Sequence, residues 1–139
     1  MQNGDLEAHV RDRIIVVIEG VLCLPIQEKT KSRWGREKTV AYHINWYDVP
    51  LKRLIVTHER NPDLDVELVS FISQDFVDFA AEYLDLAGIP YSSIKYWSFD
   101  MFQSVLRYQR NLRAVYDTDP DQLQRYGQLG VAVVQGSDF

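Results

Sequence analysis

One cysteine, Cys23, is all the thiol chemistry available to this 139-residue chain. A lone cysteine excludes an intrachain disulfide and any cysteine-rich zinc site, and it fits a reducing compartment. Long apolar runs are missing too: nothing approaches the roughly 18 residues of a membrane span. The opening MQNGDLEAHVRDR is polar and charged where a signal peptide carries an apolar centre. A soluble, cytoplasmic protein with no membrane partner is the expectation. Positive charge is the scarcer sign, 15 Lys and Arg against 20 Asp and Glu, which leaves a formal charge of −5 and argues against generic affinity for a polyanion. The three histidines, His9, His43 and His58, are too scattered for a metal site. No Ser-His-Asp or Cys-His arrangement suggests nucleophilic catalysis. No segment repeats.

What is present is 46% hydrophobic and 25% charged residues, enough for one globular domain over residues 1–139 with a sizeable core. Short β-type runs alternate with helix-type runs, the pattern of an α/β domain on a mainly parallel sheet. Ile14 to Ile18 is apolar at successive positions, which predicts a central strand covered on both faces. A β-hairpin insertion over about 23–47 is expected next, with turn chemistry at Gly35 followed by Val40, Tyr42, Ile44 and Trp46 in alternation. Asp48 reads as an N-cap and Pro50 as a first-turn residue, and Leu51, Leu54, Ile55 and His58 recur at helical spacing. The competing reading makes Leu54 to Thr57 a strand. Strand two is expected over Glu67 to Ile72, with Asp75 capping a helix that Gly88 closes. Strand three follows at Ile94 to Trp97, a helix from Asp100 to about Arg110, strand four at Arg113 to Tyr116, a short helix from Pro120 to Tyr126, and strand five at Val131 to Val134.

Open α/β sheets carry their sites at the carboxyl ends of the strands. Here strand one ends in Glu19-Gly20, strand two in Ser73, and strand four in Asp117-Thr118-Asp119. These ends together resemble the haloacid dehalogenase superfamily, whose enzymes mostly transfer phosphoryl groups through an aspartyl-phosphate. The resemblance covers about residues 13–135 and implies a Rossmann-like fold, without room for a separate cap domain. In that family strand one ends in Asp-x-Asp-Gly-Val/Thr-Leu. Carboxylates at i and i+2 of an extended chain lie on the same side, so one attacks phosphorus while the other handles the leaving group's proton. Gly20-Val21-Leu22 matches the tail of the motif. Glu19 holds the second acidic position, one methylene longer, and Val17 holds the position of the nucleophile.

The resemblance therefore implies a scaffold that has lost its nucleophile, with no catalytic residue expected and no cofactor required. Mg²⁺ is the alternative, with Glu19, Asp117 and Asp119 as its carboxylate ligands. Gly20 and Ser73 are the candidate phosphate-binding positions, and Ser73 reads equally well as a helix cap. Asp119, before Pro120, can likewise be a cap. The family's basic residue has no clear match; Lys95 and Arg110 are the candidates. The segment 28–38 holds Lys29, Lys31, Arg33, Arg36 and Lys38 around Trp34 in an otherwise acidic chain. Such a cluster suits a protein contact, with Trp34, Arg33, Arg36 and Lys31 as anchors, a nucleic-acid backbone, or simply a solvated tip. The favoured expectation is a protein-interaction or assembly module, in a homo-oligomer or with another protein. The alternatives are a Mg²⁺-dependent phosphatase or nucleotidase, and a non-catalytic binder of a phosphorylated ligand or nucleic-acid end.

Overall fold

A computed structural model describes residues 11–31, 35, 37–130, 133–135 and 139, with the side chains at 27–31, 37–42 and 133–135 excepted. Strand β1 (Arg13–Val17) leads into a wide turn, Ile18–Leu22, and then into β2 (Cys23–Lys31) and β3 (Glu37–Trp46). Helix α1 (Asp48–Arg60) is followed by β4 (Asp65–Ser70), α2 (Gln74–Leu86) and β5 (Ser93–Tyr96). Helix α3 (Phe99–Arg107), β6 (Leu112–Asp117), α4 (Pro120–Gln128) and β7 (Val133–Gln135) complete the order. The sheet runs β5-β4-β1-β6-β7 with every neighbour parallel. β2 and β3 pair antiparallel as a separate two-stranded sheet, closed at its base by the Tyr47 N–H donating to the Leu22 carbonyl at 2.9 Å.

β1 is central because it is the most continuously apolar segment. Ile15, Val16 and Val17 are buried between β4 and β6, and each such side chain contributes about 1.5–3 kcal/mol on burial. Its alternation of two divides the core. Ile14 and Val16 pack with Leu51, Leu54, Phe76 and Leu84 of α1 and α2. Ile15 packs on the other face with Phe102 and Leu106 of α3 and Tyr126 of α4. Each pair of helices thus covers one face, as a parallel sheet requires.

The segment Leu54 to Thr57 is helical, as its spacing predicts, with Leu51 and Leu54 facing the core. Several boundaries move. Asp48 does not cap α1: Tyr47 holds that position without a side-chain bond, and Asp48 is the first helical residue. Asp75 does not cap α2 either; Ser73 does, accepting from the Phe76 N–H at 3.1 Å. Gly88 closes α2 as expected, at φ +72°, with the Ile89 N–H donating to the Leu84 carbonyl, the left-handed terminus that glycine favours. Strand two ends at Ser70 rather than reaching Ile72. Ile18 leaves the first strand for the turn.

Candidate functional site

β1 lies between β4 and β6, the strands that continue the chain in opposite directions across the sheet. This is the switch point of an open parallel sheet, where the two flanking loops diverge and leave a crevice beyond the strand ends. A hollow of about 410 Å³ lies there, lined by Glu19 and Gly20 after β1, Phe71 and Ile72 after β4, and Asp117, Thr118 and Asp119 after β6, with Gln122 of α4.

The turn after β1 is built around Gly20, at φ +91° and ψ −35°. A Cβ on Gly20 would run into the Thr118 hydroxyl, so the absence of a side chain lets the β1 and β6 loops touch. That contact brings Glu19 and Asp117 into one site. Val17, two residues before Glu19, is 1% exposed and does not line the crevice.

Each acidic side chain in the crevice is held by the protein itself. Glu19 Oε1 accepts from the Phe71 N–H at 2.8 Å, which clips the end of β1 to the end of β4. Its Oε2 is buried without a hydrogen-bond partner. Burial holds the Glu19 carboxyl above its usual range, opposed by the Phe71 N–H and the Ser70 hydroxyl. Asp117, 1% exposed, has donors at both oxygens. Oδ1 takes the Thr118 and Asp119 N–H groups at 2.7 and 3.1 Å, and Oδ2 takes the Tyr126 hydroxyl at 2.8 Å. Burial raises this carboxyl too, against the pull of those donors. Burial also pushes the Tyr126 phenol upward, with the Asp117 charge second. Asp119 Oδ1 accepts from the Asp121 and Gln122 N–H groups at 2.9 and 3.2 Å, the geometry of an N-cap ahead of Pro120.

These contacts bear on Mg²⁺, the ion the resemblance implies. A hard cation needs several oxygens free to converge on it. Asp117 turns both oxygens toward protein donors and Asp119 turns one, and the described residues contain no cluster of three His, Cys, Asp or Glu side chains spaced to hold an ion. Of the Glu19, Asp117 and Asp119 carboxylates only Asp117 has both oxygens engaged, and no chemical step is routed through an ion.

The other candidate positions lie apart. Ser73 is absent from the crevice lining and caps α2, three residues beyond the end of β4. Lys95 is exposed on β5 and Arg110 is exposed before β6; neither lines the crevice. Arg33, Trp34 and Arg36 lie outside the described residues, as does the side chain of Lys31 in β2. His43 and His58 are exposed, and His9 lies outside the described residues. Cys23 is buried, its thiol pushed up to about 12 by burial first and by Glu19 second, which leaves an unreactive group.

Sequence reasoning missed Ser70 and Tyr126 and gave Thr118 no role of its own. Ser70 is the buried serine that ends β4, with its hydroxyl accepting from the Ile72 N–H at 3.1 Å. A better end for the apolar run VELVS would have found it. Tyr126 carried no such signal, because only the return of α4 over the sheet brings its hydroxyl to Asp117. Neither a protein-family model nor a curated protein matches this chain.

Proposed function

We propose that this chain is a catalytically degenerate domain of the haloacid dehalogenase type, and that it works by binding, as a protein-interaction or assembly module engaged through its hairpin. The observation that carries the reading is Val17. At the end of the central strand, where the family places its nucleophilic aspartate, stands a buried isopropyl group. It can neither attack phosphorus nor ligate a cation. The flanking carboxylates support the same reading, since they serve as a clip between strands, a buried anchor for α4 and a helix cap. The position of β1 between β4 and β6, with a turn and hairpin directly after it, agrees with the resemblance.

The hairpin supports the binding half. On its outer face Leu24 and Ile26 are 49% and 52% exposed, beside exposed Asn45 and His43 of the paired strand. Two adjacent aliphatic side chains held in water on a projecting ribbon suit an apolar contact. A second reading, a Mg²⁺-dependent phosphatase or nucleotidase, is favoured by one feature alone, the unpaired buried Oε2 of Glu19. A phosphorylated ligand without a cation would meet the charges of Glu19, Asp117 and Asp119 in the crevice, which oppose it.

Light scattering at about 0.5 M salt, where exposed charge pairs are screened, tests the hairpin. Native protein is expected to self-associate, and Leu24→Asp with Ile26→Asp to be monomeric at an unchanged melting temperature. Association that survives the double substitution would remove the hairpin from the account.

A further inference from the structure

Two helices display stripes that match. On α1, Val49, Lys52, Arg53, Val56, Thr57 and Arg60 recur at the i, i+3, i+4, i+7, i+8, i+11 spacing of one helical face. This face lines a hollow of about 530 Å³, walled on its other side by Tyr116 and Phe139. Val49 is 63% exposed, and Lys52, Arg53 and Arg60 make no ion pair among the described residues. On α2, Asp75, Asp78, Phe79, Glu82, Tyr83 and Leu86 recur at the same spacing. All six are exposed, Leu86 at 82%. One stripe is cationic and apolar, the other anionic and apolar, and both helices are 13 residues long, about 20 Å.

We infer that the α1 groove is a docking surface for a second copy of this chain, which presents its α2 stripe antiparallel to α1. Setting Arg60 against Asp75 brings Val56 opposite Phe79, Arg53 opposite Glu82 and Val49 opposite Leu86. Lys52 then faces the ring of Tyr83, whose stacking on Trp46 at 4.6 Å leaves the other ring face open to a cation. Thr57 faces Asp78. Every position pairs with its chemical complement, and antiparallel helices also align their dipoles favourably. Opposite charges with aliphatic and aromatic side chains between them favour this register, since a shift by one turn sets Arg53 against Leu86 in one direction and Val49 against Glu82 in the other. The two surfaces differ, so the contact is heterologous and propagates from copy to copy unless a ring closes. Helix faces of this length make a small interface, of micromolar strength or weaker. None of its residues belongs to the hairpin, so it stands or falls separately from the hairpin contact.

The experiment is sedimentation velocity at low salt, about 50 mM, over a range of protein concentration. It uses native protein, Lys52→Glu with Arg53→Glu, Asp75→Lys with Glu82→Lys, and an equal mixture of the two variants. Native association is expected to weaken on raising salt. Each variant alone loses about ten-fold or more in association, and the mixture regains it, because each variant keeps one native surface and the reversed pair is again complementary. All four positions are exposed, so melting temperatures should stay close to native. Should a charge-reversed variant fold poorly, Lys52→Gln with Arg53→Gln replaces it and must still weaken association. A native protein that is monomeric at every concentration, variants that associate like native, or a mixture that does not recover would each overturn the inference.

Discussion

At the crevice, Asp117 has three donors within hydrogen-bond distance; along the outer face of α1, Lys52, Arg53 and Arg60 have no ion-pair partner among the described residues. Both regions carry charge, yet the Asp117 carboxylate is fully engaged within the protein, whereas the α1 cations are exposed. A buried carboxylate with its acceptors filled is a structural bolt, because any ligand must first displace those donors. An exposed cation beside apolar side chains has lost nothing to the fold and can be engaged directly. In an open α/β sheet the crevice is where function is ordinarily sought. Here the side chains at that place hold the loops together, and the helix faces and hairpin remain available for contact.

The contrast breaks most easily at Val17. Val17→Asp places a carboxyl at a position 1% exposed in the native chain, and should cost roughly 3–5 kcal/mol in urea unfolding. A much smaller loss would mean that the crevice still accommodates an acid there. Gly20→Ala comes next. A left-handed φ and the Thr118 hydroxyl both resist a methyl group, for an expected loss of about 2–3 kcal/mol. Adding Thr118→Ala should restore only the steric part. Tyr126→Phe removes the donor at Asp117 Oδ2 and leaves that oxygen buried, at a cost of about 1–3 kcal/mol.

The smallest expected effect is in the pH profile. The carboxyls of Glu19 and Asp117 both titrate above their ordinary values, 4.5 and 3.8, because burial disfavours their charge. Over the window above those values the folded state keeps protons that the unfolded state has released, so stability falls as pH rises and levels off once the raised values are passed. Glu19→Gln removes one of the two contributions and keeps an acceptor for the Phe71 N–H. Its melting temperature should decline less than native as pH rises above 4.5, and once the raised value is passed the variant should be at least as stable.

The strands were legible where apolar side chains run together, as at Ile14 to Val17, and the helices where the spacing is regular, as at Leu51 and Leu54. Ser73 and Asp119 cap as they were read, while Asp48 and Asp75 do not, because several neighbouring side chains can cap and only the backbone geometry selects among them. In the crevice, Glu19, Asp117 and Asp119 were readable from their order along the chain. Their occupation was not, since the Phe71 N–H and the Tyr126 hydroxyl come from other elements and carry no sequence signal of their own. The complementarity of α1 and α2 is written in the sequence at a fixed spacing, but it gains meaning only once both stripes are known to face outward.

The central claim, that the crevice is a structural joint without turnover, is tested most directly by assaying purified native protein against an aryl phosphate and a panel of nucleotides, with and without Mg²⁺. Loss of a covalent nucleophile removes orders of magnitude of rate that positioning alone does not restore. The account predicts hydrolysis no faster than a protein-free control under either condition. Mg²⁺-dependent turnover that disappears in Asp117→Asn would contradict it and assign the crevice to catalysis.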